Sequence, residues 1–280
     1  MSVQIIIDST VDLRQDLLSE VKIAPLTIRF GEEEYIDGKT LTKQEFYSKL
    51  VSNDVLPTTS QATPFTFAEL YKETVEAGDE AVVITISSKL SGTFQSANVA
   101  SMDYEGKVYV VDSLNAAIGA GILAEFAIRL AKAGLNAKQI YTILEEEKHN
   151  ICLIAVLDTL DYLHKGGRIP KTVALAGGLL SIKPVITLKE GSISLIGQAR
   201  GTKKGNAMMD KKMNEAGEID YRKPITLGYT GTEDELLQKY IEASEFNWAE
   251  NKTVYSITDF SGAIGTHVGP GAYAVAYFKK

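Results

Sequence analysis

The stretch "AVVITISSKLSGTFQSA", residues 81 to 97, contains the pattern that decides the fold. Its first six residues are apolar and rich in β-branched side chains, which predicts a buried strand over 81–86. Four serines, a threonine and a glycine follow within 87–97, and a helix is predicted over about 91–100. A strand that passes through a polar turn into a helix is typical of an α/β protein.

The same alternation runs through the first half of the chain. Apolar segments predict strands at 3–7, 23–30 and 107–113, and helical patterns lie between them, for example at 65–77. Strands that alternate with helices form parallel sheets with right-handed crossovers. We therefore predict a parallel sheet for this half of the chain.

Three hydroxyl-bearing loops follow predicted strands, at residues 8–10, 87–93 and 112–113. In open parallel sheets, ligands bind beyond the carboxyl ends of the strands. Because all three loops come after such ends, we expect them to lie together at one edge of the sheet.

The pattern changes in the second half. The segment "KPVITLKEGSISLIGQARG" (183–201) predicts two strands joined at Glu190-Gly191, which is typical of an antiparallel hairpin. We expect two domains, an α/β domain over 1–150 with a parallel sheet and an α+β domain over 151–280 with a mainly antiparallel sheet. A cleft between two such domains is the usual place for a small-molecule site.

Composition limits the classes of function. The chain has 280 residues and 45% hydrophobic content, enough for a sizeable core. Its formal net charge of -7 disfavours binding to a phosphate backbone, so no nucleic-acid partner is expected. The single cysteine, Cys152, is expected to be a buried thiol. No signal-peptide pattern or membrane-length apolar run occurs, so we expect a cytoplasmic protein without membrane insertion.

Neither a metal nor a cofactor is expected. The three histidines, His149, His164 and His267, lie far apart in the sequence, and no zinc-binding motif surrounds them. The glycine-rich motifs that bind nucleotide phosphates are also absent.

Three interpretations fit the hydroxyls of 87–97. Ser91 is a nucleophile if a histidine reaches it, and His267 is the best candidate for such a serine hydrolase. Alternatively the turn holds an anion, because N–H groups at a helix start attract negative charge, Gly92 allows close approach, and Ser91 and Thr93 can donate. Ser91 can also serve only as a helix cap. The residues alone leave these interpretations open.

Two further stretches carry candidate side chains. "GTHVGPGAY" (265–273) predicts a glycine-rich turn, in which His267 is a donor to an anion, a general acid or a structural residue. Arg168, after Gly166-Gly167, is either a solvated charge or part of a pocket rim or partner contact. Arg200 and Lys203 hold a phosphate or an acidic partner, or simply begin a surface helix.

Taken together, the motifs closely resemble the DegV family, with conserved order and spacing from residue 5 to the end of the chain. The motifs are "DSTVDL", "YIDGKTL…EFYSKL…PTTSQ", "ISSKLSGTFQSA", "VVDS…G.G", "LDTLDYLHKGGRI", "KPVITLKEGSISLIGQARGTKKG" and "GTHVGPGAY". One departure is "SQATP", where the family often has "SQPS".

The resemblance implies a two-domain α/β protein that binds a long-chain fatty acid, such as palmitate, stearate or oleate, between its domains. Relatives of the FakB type are not enzymes by themselves. They carry the fatty acid and present its carboxylate to a separate ATP-dependent fatty acid kinase, which makes an acyl phosphate for phospholipid synthesis. A sugar or phosphate binder would instead need a hydrophilic pocket.

The resemblance also assigns residues, without a catalytic residue or a metal ligand among them. The family's carboxylate contacts correspond to Thr59, Ser91 and His267. Neighbours expected to line the same site are Ser60, Gly92, Thr93 and Thr266. Residues expected at the rim or at the kinase-docking surface are Arg168, Arg200 and Lys203. An acyl chain also needs an apolar tunnel, which the segments 116–128 and 172–182 could line, although ordinary core packing is expected for most of their positions.

Overall fold

The computed structural model describes residues 2–53, 55–174 and 181–280. The strands in these ranges are β1 (Val3–Asp8), β2 (Val21–Ala24), β3 (Thr27–Phe30), β4 (Glu33–Ile36), β5 (Thr58–Ser60), β6 (Glu80–Thr85), β7 (Val108–Asp112), β8 (Ile151–Val156), β9 (Ile182–Lys189), β10 (Ser192–Arg200), β11 (Thr226–Tyr229), β12 (Ser256–Asp259) and β13 (Tyr273–Phe278). The α-helices are α1 (Lys43–Ser52), α2 (Pro64–Glu76), α3 (Thr93–Ser101), α4 (Ala117–Lys132), α5 (Ala137–Glu147), α6 (Asp161–Lys165), α7 (Lys171–Ala174), α8 (Thr202–Ala216), α9 (Glu235–Ala243) and α10 (Gly262–Val268). Short 3-10 helices cover Gln15–Glu20, Met102–Tyr104 and Lys148–Asn150.

The first sheet is parallel, as the alternating pattern predicts. Its strand order is β2-β1-β6-β7, and the predicted strands at 3–7, 81–86 and 107–113 form three of its members. Side chains of successive residues in a strand point to opposite faces. Ile6 therefore packs with α2 and α3 on one face, while Ile5 and Ile7 pack with α4 on the other.

The prediction of one strand over 23–30 is wrong. The segment forms two strands in different sheets, because β2 pairs with β1 whereas β3 pairs with β4 and β5. Pro25 separates them, since it has no N–H to continue the ladder of hydrogen bonds. The next N–H, of Leu26, donates to Ser9 Oγ instead, at 3.0 Å. The chain thereby leaves the parallel sheet and brings β5, which carries Thr59, beside β3.

The second large sheet has the order β10-β9-β8-β13-β11-β12 among the residues described, and all its pairs are antiparallel except β11 with β12. The predicted hairpin is confirmed. Glu190 and Gly191 both adopt positive φ, of 48° and 81°, which is the geometry of a two-residue hairpin turn. The protein is therefore a mixed α/β protein with one parallel and one mainly antiparallel sheet.

One hydrophobic core joins the two sheets. Helix α4 packs against β1 and β6 of the parallel sheet and also against β8, β11 and β13 of the antiparallel sheet. Residues such as Ile7, Ile122 and Ala274 belong to the same buried cluster. The proposed division of the chain into domains at residue 150 stays a prediction.

The structure also bears on Cys152, on membrane-spanning helices and on the segment 172–182. Cys152 lies buried in β8, as expected, and burial raises the pKa of its thiol. No helix within the described ranges is long and apolar enough to cross a membrane. Of the segment 172–182, expected to line a tunnel, residues 175–180 lie outside the described residues.

The turn of the β9–β10 hairpin contacts the first half of the chain at Ser87. This contact gives a first prediction. Ser87 Oγ donates to the carbonyl oxygen of Gly191 at 2.8 Å, and a Cβ at position 191 would overlap Ser87 Oγ. We expect Gly191→Ala to lower the free energy of unfolding by about 1–3 kcal/mol more than Gly106→Ala. Gly106 has a similar φ of +75° but no atom near its missing Cβ, so it controls for backbone strain.

Urea unfolding followed by circular dichroism measures both values. Equal losses of stability in the two variants would show that the Ser87 contact adds nothing to the strain of the turn.

Candidate functional site

A cavity with mainly apolar walls lies between the two sheets. The cavity and its opening to solvent together comprise about 760 Å³ of empty space, and seventeen of the 22 described residues that line it are apolar. Ile86 lies just beyond the last residue of β6, Ala117 begins α4, and Leu153, Ile186 and Ala274 come from β8, β9 and β13. Both sheets and the helix between them therefore build its wall.

The loops expected at one edge of the parallel sheet meet beside this cavity. Asp8 accepts a hydrogen bond from the N–H of Ile86 at 2.8 Å, and Asp112 accepts one from the N–H of Ser88 at 3.2 Å. Asp8 also accepts from the hydroxyl of Thr10, which lines the cavity. Burial raises the pKa of Asp8, and the hydrogen bonds of Thr10 and Ile86 oppose that rise.

The prediction that 265–273 is only a turn is wrong for its first part. Residues 262–268 form α10, with Ser261 as its N-cap and His267 in its last turn. His267 Nε2 lies 2.9 Å from Thr59 Oγ1, so the helix joins a histidine from the end of the chain to β5. Both residues line the cavity, and the glycine-rich turn begins only at Gly269, with a φ of 76°.

The tautomer of His267 decides what Thr59 can do. If Nε2–H donates to Thr59 Oγ1, the threonine hydroxyl stays available to donate to an anion in the cavity. In the other tautomer the threonine hydroxyl donates to Nε2 of the imidazole and is not available to an anion. Nδ1 has no hydrogen-bond partner within the described part of the chain and packs so closely on Gly166 that a Cβ there would overlap it. An anion site requires the Nε2–H tautomer.

His267 is neutral at physiological pH. Burial, and secondarily the positive charge of Arg168, lower its pKa from 6.5 to about 4. The imidazole is therefore uncharged, and in its Nε2–H tautomer it donates to Thr59, while Arg168 supplies the positive charge.

Arg168 lies in the cavity wall beside His267. Its Nε donates to the carbonyl oxygen of Leu90 at 3.1 Å, and its Nη1 donates to that of Gly166 at 2.6 Å. These two bonds use only part of the donors of a guanidinium. Since Leu90 precedes Ser91 and Gly166 touches His267, the arginine connects both sides of the polar end of the cavity. Burial lowers the pKa of Arg168.

Ser91 lines the cavity from the loop before α3. Its Oγ lies 2.9 Å from Thr93 Oγ1 and accepts a hydrogen bond from the N–H of Thr93 at 3.3 Å. Ser91 thus supports the helix start while it faces the cavity, so the capping and anion-holding interpretations are compatible. Within the described residues it makes no hydrogen bond to His267, whose Nε2 contacts Thr59 instead.

Gln61 is a site residue that sequence reasoning missed. Its Nε2 donates to Ser96 Oγ at 2.8 Å, and its Oε1 lies where a Cβ of residue 92 would stand. Gln61 therefore connects the Thr59 strand to α3, and the missing side chain of Gly92 leaves room for its amide. The "PTTSQ" motif contained this glutamine, but only the structure relates it to a glycine 31 positions later.

The other predicted residues lie elsewhere. Ser60 is exposed on β5 and outside the cavity lining, and Thr266 Oγ1 donates to the carbonyl oxygen of Gly262 at 2.9 Å. Thr93 is fully buried behind Ser91. Arg200 and Lys203 are exposed and do not line the cavity. Their roles in ligand or partner binding stay predictions.

The described residues hold no group of three His, Cys, Asp or Glu side chains that could bind a metal ion. The site instead combines an apolar wall with hydroxyl, imidazole and guanidinium groups. Its class is an α/β protein with an apolar cavity that has one polar end.

Comparison with known proteins identifies the family. The model of the DegV family matches residues 2–280, and the chain belongs to this family. A DegV domain-containing protein of Caldanaerobacter subterraneus is 34% identical, with 99% of each chain covered.

Two solved structures share the fold. A DegV family protein from Thermus thermophilus, described as fatty acid binding, is 31% identical with a TM-score of 0.87, and the match covers 99% of this chain and 100% of that one. A stearic acid-binding protein from Eubacterium ventriosum is 27% identical with a TM-score of 0.85, over 99% and 98% of the two chains.

The contact between Gln61 and Gly92 gives a second prediction. We expect Gly92→Ala to destabilise the protein by about 0.5–1.5 kcal/mol, because the new methyl group displaces the Gln61 amide and breaks its hydrogen bond to Ser96. In a Gln61→Ala background the same change should cost only the small penalty of alanine at a helix N-cap. A double-mutant cycle from urea unfolding measures the difference. Equal losses of stability in the wild-type and Gln61→Ala backgrounds would rule out the Gln61 contact as the reason for glycine at position 92.

The buried imidazole gives a third prediction. Because its folded-state pKa of about 4 lies below 6.5, protons bind the unfolded chain more readily as the pH falls from about 6.5 to 4. His267 should therefore reduce the free energy of unfolding in that window. NMR titration of its ring should give a midpoint near 4 in protein freed of lipid.

The variant His267→Gln controls for other groups. Burial raises the pKa of Asp12 to about 8 and of Asp37 to about 6, which has the opposite effect on stability at low pH. Only the difference in the free energy of unfolding between wild type and variant therefore measures the contribution of His267 to the pH dependence. A midpoint at or above 6.5 would contradict a neutral, buried imidazole.

Proposed function

We propose that this protein binds a long-chain fatty acid, with the acyl chain in the apolar cavity and the carboxylate at Thr59, Ser91 and Arg168. The observation that carries the proposal is the composition of the cavity wall, apolar except for a few polar side chains whose contacts link them together. The fatty acids bound by structural relatives support the same substrate class.

The apolar wall accounts for affinity. Each buried methylene contributes about 0.8 kcal/mol, so a long acyl chain gains on the order of 10 kcal/mol before the costs of association. A sugar or an inorganic phosphate would gain nothing from this wall and would lose its hydration, so the cavity argues against the hydrophilic alternative.

The polar end accounts for orientation. A buried carboxylate needs hydrogen bonds or an opposite charge, and here two hydroxyls and a guanidinium can supply both. In the Nε2–H tautomer His267 acts through Thr59, because its N–H donates to the threonine oxygen and leaves the threonine hydroxyl free to donate to the ligand. The negative charge of the ligand would in turn raise the pKa of His267, by opposing the effect of Arg168.

The second half of the proposal concerns the fate of the fatty acid. We propose that the protein is a carrier that presents the carboxylate to a separate ATP-dependent kinase, which forms an acyl phosphate. The family resemblance supports this role, and the polar end of the cavity fits it because Thr59, Ser91 and Arg168 can hold the nucleophilic carboxylate at one place. A serine hydrolase is not proposed, since Ser91 and His267 do not contact each other within the described residues.

The fourth prediction separates the carboxylate contacts from their neighbours. Thr59→Ala and Ser91→Ala should each weaken oleate binding about tenfold, the effect of losing one hydrogen bond to a charged group. Thr58→Ala and Ser88→Ala are matched controls, because both side chains are exposed beside the residues tested. Binding is measured by displacement of dansyl-labelled undecanoate from protein freed of lipid.

Native mass spectrometry of the untreated protein should also show a retained fatty acid. If neither that experiment nor added oleate gives a complex, the binding proposal fails. Acyl phosphate formation with a bacterial fatty acid kinase and ATP tests the carrier role, and it should fall in Ser91→Ala but not in Ser88→Ala. Oleate binding without any acyl phosphate would overturn only the carrier role.

A further inference from the structure

In two motifs near the start of the chain, "DSTVDL" and "YIDGKTL", the residues Ser9, Asp12 and Asp37 have no role in the cavity chemistry described so far. Their carboxylates and hydroxyl meet at the first turn of α10, the helix that carries His267. Asp37 Oδ1 accepts from the N–H of Gly262 at 3.2 Å, and its Oδ2 accepts from that of Ala263 at 3.4 Å. These partners lie 225 and 226 positions apart in the sequence.

Side chains satisfy the other N–H groups of this turn as well. Asp12 Oδ1 accepts from the N–H of Ser261 at 2.8 Å, and Ser261 Oγ accepts from that of Ile264 at 3.4 Å. The first N–H groups of any helix lack partners within the helix. Here the N–H groups of the N-cap and of the next three residues all have side-chain acceptors. Three of these four N–H groups donate to Asp12 or Asp37, from the beginning of the chain.

The carboxylate of Asp37 is itself held in place. Ser9 Oγ donates to Asp37 Oδ2 at 2.8 Å and accepts from the N–H of Leu26 at 3.0 Å. Burial raises the pKa of Asp37 to about 6, so the group is mostly ionised at pH 7 and its charge faces the positive end of the helix. Lys43 offsets the local negative charge, at 2.8 Å from Asp259 Oδ1 and 3.9 Å from Asp12 Oδ1.

Helix α10 needs such support because its own sequence favours it weakly. It has seven residues, two of them glycine and three β-branched, and isolated helices of this length are unstable in water. The glycines serve packing instead. A Cβ at Gly262 would approach Ile28 Cδ1 to 2.6 Å, and one at Gly265 would approach Phe46 Cε1 to 2.7 Å.

We propose that Asp37, supported by Ser9, is a positioning residue for fatty-acid binding: it fixes the start of α10 so that His267 meets Thr59 at the polar end of the cavity. Ala263, which donates to Asp37, precedes His267 by four residues, about one helical turn. Ala263 and Ile264 also line the cavity, so a displaced helix would disturb both the wall and the imidazole. This inference rests on the proposed function.

The test compares Asp37→Ala with Asp210→Ala in the full chain freed of lipid. Asp210 is another buried carboxylate that accepts from a hydroxyl and a backbone N–H, of Ser244 at 2.9 Å and Glu245 at 2.8 Å, away from the cavity. Asp37→Ala should raise the dissociation constant of oleate about tenfold or more and shift the ¹⁵N signals of the His267 ring. Asp210→Ala should lower stability but change the dissociation constant less than about twofold.

Two further variants keep the proposal testable. The dissociation constant of oleate for Asp37→Asn should lie between those for wild type and Asp37→Ala. The amide oxygen of the asparagine can still accept a hydrogen bond from one helix N–H. If Asp37→Ala does not fold, Ser9→Ala removes only the support of the carboxylate and should weaken oleate binding about threefold, with a smaller shift of the His267 signals.

The outcomes distinguish this inference from the proposed function. A wild-type protein that takes up no oleate overturns the proposed function. If the wild type binds oleate, then an unchanged dissociation constant and unchanged His267 signals in Asp37→Ala, or in Ser9→Ala if that variant is used, overturn the positioning role alone. Equal loss of oleate affinity in Asp37→Ala and Asp210→Ala would also overturn it, since the effect would then follow general stability.

Discussion

The hydrogen bonds between Asp37 and the first turn of α10 join the two ends of the chain, and the site depends on this junction. A seven-residue helix with two glycines does not form by propensity. It forms here because carboxylates from early loops accept its unpaired N–H groups and because its glycines allow close contact with Phe46. Through that helix, His267 reaches Thr59. The polar end of the cavity is thus a consequence of tertiary contacts rather than of a local motif.

The cavity itself follows from the way in which the two sheets share one core. Helix α4 packs on strands of both sheets, and alanines such as Ala117 and Ala274 occupy positions where larger side chains would fill the space between them. Folding normally brings such surfaces to the packing density of organic crystals. Small residues in the wall leave an apolar space between the sheets, and polar side chains lie where the loops of the parallel sheet end.

Local patterns predicted much of the fold correctly. The strands at 3–7, 81–86 and 107–113 and the hairpin at Glu190-Gly191 appear as predicted, because hydrophobic periodicity and turn chemistry act over a few residues. The prediction for 23–30 failed because Pro25 redirects the chain into another sheet. The prediction of a turn at 265–273 failed for a different reason: glycines that break a helix locally are required for its packing here.

The sequence by itself determined the α/β class, the absence of common metal and nucleotide motifs, and the resemblance that named Thr59, Ser91 and His267. These depend on residue types, spacing and order, which are visible without coordinates. Only the tertiary structure decided that Thr59 and His267 touch, that Arg168 lines the cavity, that Ser60 lies outside it, and that the Gln61 amide packs against Gly92. Each of these facts depends on contacts between residues distant in the chain, and periodicity carries no information about such contacts.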